Sequence, residues 1–529
     1  MSDSSAPFWS PLRHSIFRLL WIASFASNVG ALMQSVGASW LMTSLSPSKT
    51  ALVQTAVNLP TFLLALPAGA LADVLDRRKL LLATQFWMLV VATLLGIMTV
   101  AGSMTSGLLL AFTFALGLGA ALNGPAWQAI IPELVPRNEL GAAVALNSAG
   151  FNLARSVGPA LGGVVVAVAG PGFTFLLNAA SFLGVLYVLF AWQRRPEPSV
   201  LPAERVWGAM AAGVRYVRHS PAIQAVLLRN GTFVLGASAL WALLPLIARF
   251  ELRLGPSGYG ILLGCIGGGA VLGATVMPRL KRALPSSLTL ILAPALYALG
   301  MSVPAWTGNF WAVCGGMLGS GVGWLVFLSL CNTAIQVSVP AWVRGRALAV
   351  NLLAVFGSLA LGSAVWGALA ERWGLAATLW GACLWIVAMV ALTHRFEIPT
   401  GEGLDLEPAR HWQHPVVAHD VALEHGPVFV FVEYRIDPTE TEAFAEAMAA
   451  LRRIRLRDGA IRWNLFKDTA DPGRMVESFV LESWVEHLRQ HERVTVSDRA
   501  VEERARTFHR GPLPPAVSHF IAEPPPTRA

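Results

Sequence analysis

The sequence predicts an all-α membrane protein of twelve helices in two six-helix halves, followed by a small C-terminal α+β domain. Three observations carry that expectation. Residues 1–400 contain twelve apolar stretches, each long enough to cross a bilayer. The stretches repeat one another at a constant offset of 204 residues. After His394 the chain turns polar and the pattern changes to short alternating strands. With 529 residues, 55% of them hydrophobic and 13% charged, and a mean hydropathy of +0.57, the chain is too apolar for a water-soluble globule.

In chain order, the apolar windows place spans at 16–42, 51–73, 80–101, 107–131, 140–168 and 172–192 in the first half. The second half has windows at 222–248, 258–278, 287–306, 310–335, 347–369 and 376–394. Met1 to Pro11 leads into the first span without a small-residue cleavage site, so that span is expected to stay uncleaved. Of the 23 Lys and Arg in residues 1–400, 17 fall in loops on the amino-terminal side and only Lys49, Arg249, Arg253 and Arg372 in loops opposite. This asymmetry predicts cytoplasmic N- and C-termini for a multi-pass protein of the inner membrane. Residues 1–400 carry a net charge of +13 and residues 401–529 a net charge of −5, so the basic balance reflects topology signals. No concentrated basic face interleaved with aromatics is present, which argues against nucleic acid as a partner. The four cysteines, Cys265, Cys314, Cys331 and Cys383, sit in apolar runs without metal-ligand spacing and read as small buried hydrophobes.

The repeat pairs Gly69 with Gly273, Arg77 and Arg78 with Lys281 and Arg282, Val135-Pro136 with Val339-Pro340, and Asn147 with Asn351. It continues through Gly141 and Gly345, Gly158 and Gly362, and Gly163 and Gly367. Two parallel halves follow, residues 1–195 and 222–398, the arrangement of transporters whose halves rock about a midplane site. The connection 196–221 holds an amphipathic stretch from Ala203 to Arg218, expected to lie on the inner membrane surface or to tether the halves. A linker, 399–425, leads to a cytoplasmic domain over 426–524. Its pattern reads as strand 428–436, helix 438–456, strand 460–467, a turn at Asp471-Pro472-Gly473, strand 475–482, helices over 483–508 and strand 516–522. That order, β-α-β-β-α-β, is the ferredoxin-like split pair. The tail resembles the small dimeric α+β modules related to antibiotic-biosynthesis monooxygenases, which implies dimerisation, regulation or cofactor-free oxygenation. Arg462, Trp463 and Asn464 are the tail's only catalytic candidates, and alternate residues of one strand face opposite sides.

The loop Gly69-Ala-Leu-Ala-Asp73-Val-Leu-Asp76-Arg77-Arg78-Lys79 joins the second and third spans. Gly69 is expected to let a neighbouring helix approach closely, and Asp73, at a helix carboxyl end, to face a cation or another helix's amino terminus. The segment resembles the signature loop of the major facilitator superfamily, with Val74 where an Arg is usual and Asp76 where a Gly is usual. In the fifth span, Gly158-Pro159-Ala-Leu-Gly162-Gly163 resembles a motif of that superfamily's drug antiporters. Gly158 and Gly162 share a helical face suited to close packing, and Pro159 removes a backbone donor and permits a bend. Ala145 and Ala154 replace glycines of the longer motif.

Arg155 lies about 22 Å along the fifth span and is too deep to reach the surface easily. With Asn147 and Asn152 it is expected to line a cavity, or else to bond neighbouring carbonyls. Asn28, Gln54, Asn58 and Asn123 extend the set of candidate cavity residues, with Gln34, Gln128 and Asn178 as further polar positions in the first half. Asp73 and Glu133 are the carboxylates near spans of that half, and none sits at mid-depth. Proton antiport is therefore implied by the resemblance alone. Thr113 stands near the position where the superfamily's proton-linked Arg is expected. No Gly-x4-Gly-Lys-Ser/Thr loop is present, which argues against ATP, and no cofactor or metal is called for.

Length, spans, the Leu176-Leu177-Asn178-Ala179-Ala180-Ser181-Phe182 run and the tail together resemble the transmembrane secretion effector branch of the superfamily, which includes enterobactin-exporter-like proteins. The resemblance implies an inner-membrane secondary transporter that exports drug- or siderophore-like molecules, with membrane lipid and a small-molecule substrate as partners and a proton as coupling ion. A membrane-tethered monooxygenase tail and an importer are the alternatives.

Overall fold

The computed structural model describes residues 7–192, 206–396, 405–409, 411–412 and 421–523. Within these, eleven helices are long and apolar enough to cross a membrane. In the first half they are α1 (Ser15–Leu45), α3 (Arg77–Val100), α4 (Ser106–Leu134), α5 (Leu140–Ala169) and α6 (Pro171–Ala191). Between α1 and α3 runs α2 (Thr50–Val74), a 25-residue helix in the place of the expected second span. A short helix, α7 (Val206–Arg218), separates the halves. The second half holds α8 (Pro221–Leu246, prolonged by a π turn to Glu251), α9 (Pro256–Ala283), α10 (Ser286–Ser302), α11 (Phe310–Ser338), α12 (Ala341–Trp373) and α13 (Leu375–Thr393).

The repeat read from the sequence is carried by the backbone. Shifted by 204 residues, the bounds of α4 coincide with those of α11. Gly170 before α6 has φ +87° and Gly374 before α13 has φ +81°. Both positions need a left-handed turn tight enough to reverse the chain, which is why glycine recurs there. Proline inside α2, α4 and α5 is tolerated because neighbouring helices cover the freed backbone.

The chain divides into two compact units. One comprises Met1–Ala203, Leu227–Cys331 and Asn351–Phe396. Its first-half core is built from side chains such as Met42, Met88, Leu95, Leu116, Phe175 and Phe182 of α1, α3, α4 and α6. Asn178 donates to Gln34 between α6 and α1, a polar tie of the kind that holds helices where lipid offers no hydrophobic drive.

The other unit comprises Glu204–Val226, Asn332–Val350 and Glu397–Ala529. Its sheet is formed by β1 (Val428–Arg435), β2 (Arg462–Lys467), β3 (Arg474–Leu481) and β4 (Ala516–Ile521), in the order β2-β3-β1-β4 with every pair antiparallel. Alternation along β1 turns Val428, Val430, Val432 and Tyr434 inward onto Phe444, Met448 and Leu451 of α14 (Thr441–Asp458). Helices α15 (Trp484–Arg493) and α16 (Val496–Arg506) complete the domain, the latter opened by a Thr495/Asp498 capping box. Trp463 turns inward and donates to Glu477 (2.9 Å), whose other partner is Arg455 (3.0 Å).

The amphipathic stretch forms α7. Residues 203–205 lie outside the described residues, and from Val206 on the helix has a protein-covered face. Tyr216 is buried, with the Arg457 guanidinium of α14 over its ring at 5.3 Å and Trp342 of α12 edge-on at 5.8 Å. The Arg457 guanidinium over this ring is a cation–π contact.

Candidate functional site

Arg77 and Arg78 open α3, and the Asp76 side chain caps that helix by accepting from the Lys79 amide (3.1 Å). A carboxylate cap explains why Asp serves at a position where the superfamily carries Gly. Arg77 donates to Glu133 (2.9 Å) and to the Ala129 carbonyl (3.0 Å), tying α3 to the end of α4. Arg78 donates to the carbonyls of Leu189 (2.8 Å) and Phe190 (2.7 Å), which the end of α6 leaves unpaired. The Asp73 side chain lies outside the described residues. Gly69 corrects an expectation: a methyl there would meet nothing within 4 Å, so no close helix contact explains it. Around Gly69, at the end that carries the basic loop, no neighbouring helix comes within reach of a methyl.

At the opposite end the halves meet through the fifth span. Methyls on Gly158 and Gly162 would come within 2.9 Å of Leu32 and 2.8 Å of the Met33 Cα, so this face of α5 fits α1. Gly163 faces the other half, where a methyl would lie 2.6 Å from the Pro256 carbonyl and 3.0 Å from the Gly260 Cα of α9. The motif thus has two packing faces, one within its half and one across. Pro159 has no N–H to offer the Arg155 carbonyl, and Gly267 of α9 packs directly against that carbonyl. Thr55 of α2 donates to Ala360 of α12 (2.9 Å) in a matching contact, and Arg249 closes this end by donating to Thr43 (2.8 Å) and Ser44.

Toward the basic end, the first half carries an open cavity of about 700 Å³. Asn28, Asn123, Asn147 and Asn152, four of the residues expected there, line it. Gln85 donates to Asn123 (3.1 Å), and its own carbonyl oxygen is buried without a partner. Among the described residues, the amides of Asn28 and Asn147 make no hydrogen bond to protein. Trp127 and Phe151 add aromatic surface, and Ser24, Ser27 and Ser148 hydroxyls. Sequence reasoning missed the serines and the aromatics, whose types are common throughout the spans; only Gln85, a buried amide in an apolar helix, carried a signal that was overlooked.

Three expectations are corrected. Gln54 and Asn58 are not among the lining residues; Asn58 is buried in α2 and bonds back to the Gln54 carbonyl (2.7 Å). Arg155 is absent from the lining too. One turn beyond Phe151 and Asn152, its guanidinium lies over the Trp241 ring of α8 at 5.7 Å and, among the described residues, makes no ion pair. An indole face partners the buried cation, where a place in the cavity lining or bonds to neighbouring carbonyls were expected. Every lining side chain is uncharged, so recognition here rests on hydrogen bonds and aromatic contact.

Residues 6–527 match the family described as transmembrane secretion effector. The chain belongs to that family. Transmembrane secretion effectors are secondary transporters of the major facilitator superfamily, and this chain is a multi-pass membrane protein of that kind. It is 28% identical over 350 residues to the enterobactin exporter EntS of Salmonella choleraesuis, covering 63% of this chain and 80% of that protein. The EntS of Escherichia coli O6:K15:H31 is 27% identical over 347 residues with the same coverage. Among solved structures, the fold is similar to a bacterial homologue of the human lysosomal transporter Spinster, inward-facing and unoccupied. There the TM-score is 0.56 at 13% identity, over 74% of this chain and 97% of that one. A bacterial homologue of the iron transporter ferroportin, inward-facing, gives a TM-score of 0.55 at 19% identity over 72% and 98%. At these identities the likenesses to solved structures speak to the fold alone.

Proposed function

We propose that this transmembrane secretion effector exports siderophore-like organic molecules from the cytoplasm across the inner membrane by alternating access, coupled to the proton gradient. The uncharged cavity carries the reading: unpaired amides beside Trp127 and Phe151 suit a cargo rich in aromatic rings, hydroxyls and amides. The naming of its relatives as enterobactin exporters supports the same cargo class. The excess of Lys and Arg assigns the basic end, and with it both termini, to the cytoplasm, so the cavity would load from inside. With no carboxylate in the lining, coupling is assigned to pairs at the loading end. Glu139 and His14 (3.0 Å) join α5 to α1, and Glu133 pairs with Arg77. Protonating either carboxylate would loosen a tie between helices that must separate and rejoin. The tail is assigned a dimer contact through the outer sheet face, where Phe429, Phe431 and Phe520 cluster.

The test is uptake of a tris-catechol amide into inverted vesicles containing the protein. Uptake that requires an imposed proton gradient and is lost in Glu139→Gln supports the proposal. Uptake only into right-side-out vesicles would make the protein an importer. Gradient-independent transport would remove the proton from the scheme.

A further inference from the structure

We propose that the tail domain binds an uncharged aromatic molecule bearing hydroxyl or carbonyl groups, in a cavity of its own. That cavity, about 840 Å³, lies on the inner face of the sheet, with His487 and His491 of α15 and His519 of β4 at one end. His487 is 1% exposed, and neither of its ring nitrogens has a hydrogen-bond partner. Its ring lies 4.7 Å from those of His491 and His519 and 5.3 Å from Trp484. Burial first, and then the neighbouring histidines and Arg455, push its pKa down to about 3. At neutral pH it therefore presents one N–H donor and one nitrogen acceptor, both unused.

The far end is set by Tyr434. Val430 pairs with His519 across β1 and β4, and Tyr434 lies four residues further along the same face, about 13 Å away. The Tyr434 hydroxyl makes no hydrogen bond among the described residues. The rest of the wall includes Val430, Val432, Phe479 and Trp412.

The charges around the cavity are already matched. Arg455 meets Glu477 (3.0 Å) and Glu502 (3.8 Å), and Glu502 also meets Arg506 (2.9 Å). An ionic ligand would enter without a counter-charge, which disfavours it. A metal ion is equally poorly served, since no group of His, Cys, Asp or Glu among the described residues has metal-holding geometry. A flat apolar body with hydrogen-bonding groups at its ends matches what is left. The site is separate from the transport cavity and does not depend on the proposed cargo.

The test is a fluorescence titration of the full-length protein in nanodiscs with dihydroxynaphthalene, with empty nanodiscs subtracted. Two variants probe the cavity: His487→Leu removes the unused donor and acceptor, and Val517→Trp fills the rim from a side chain that is 52% exposed. Saturable one-to-one binding is expected, weakened about tenfold by His487→Leu and by using naphthalene without hydroxyls. Val517→Trp should abolish it, and that variant stands as the test if His487→Leu fails to fold. Absence of saturable binding, or binding equal in wild type and Val517→Trp, overturns the proposal. So does binding lost only on Asn123→Phe, which would place the probe in the transport cavity.

Discussion

The two halves of the bundle share a backbone plan and diverge in what they enclose. Each cavity position of the first half has a counterpart 204 residues on: Asn123 becomes Phe327, Trp127 becomes Cys331, Asn152 becomes Phe356, and Asn28 and Gln85 become threonines. Phe327 is buried 4.3 Å from Phe233, which also packs on Tyr297 at 5.4 Å. Asn351, the counterpart of Asn147, is bonded to Asn230 at 2.8 Å. One half leaves the amides of Asn28 and Asn147 without protein partners, and the other places Phe327 and Phe356 where the first half has asparagines. The repeat therefore sets where the helices go, and a handful of substitutions decides how the positions between them are filled.

The largest effect is expected at Phe327. Phe327→Asn should cost about 3–5 kcal/mol of stability by opening an aromatic core, read as a large fall in thermal resistance of the purified protein. If stability is unchanged, the second half is not a packed support. Next comes the exchange in the other direction. Asn123→Phe should cut export by about tenfold or more at normal protein level, because it fills the cavity and strips Gln85 of its partner. Near-normal export would move the cargo site elsewhere.

Smaller effects sharpen the contact between halves. Gly163→Ala places a methyl against the backbone of α9, whereas Gly367→Ala, at the equivalent position, meets the side chain of Ala51. The first should push the opposite end open, at a cost of about 1–3 kcal/mol, measured as faster labelling of a cysteine placed there. Equal labelling in both variants would show that the two crossings are interchangeable. The smallest effect is expected for Arg78→Lys and Arg229→Lys. Arg229 donates to Thr393 (2.9 Å), the counterpart of Leu189, which Arg78 serves in the first half, although the two arginines come from non-equivalent helices. Each change should cost about 1 kcal/mol, seen as slight loss of thermal resistance.

Helix number, the repeat and the tail's strand order were legible because each rests on a period that spans many residues. Apolar length, the offset of 204 and alternation along 428–435 all average over local accidents. The cavity was legible in part, since an amide in an apolar helix needs a reason. Asn28, Asn123, Asn147 and Asn152 line the cavity, Asn152 while also bonding back to the Ser148 carbonyl; Asn58 makes the same kind of bond to the Gln54 carbonyl away from that lining, a difference that sequence does not show. Arg155 was misplaced because a long side chain ends a turn away from its Cα, and its indole partner comes from the other half. Gly69 was misread because sequence does not show which glycine of an apolar helix has a neighbour packed against it.

Pro159 has a mechanical consequence. A helix resists bending because its outer hydrogen bonds must stretch, and α5 is already missing the bond from residue 159 to the Arg155 carbonyl. That gap sits where Gly267 of the other half presses against the same carbonyl. The weakest point of the rod and the pivot between the halves thus coincide. When the halves tilt, α5 can flex at its fulcrum while the segments on either side, one bearing the cargo amides and one the closing glycines, move as stiff levers.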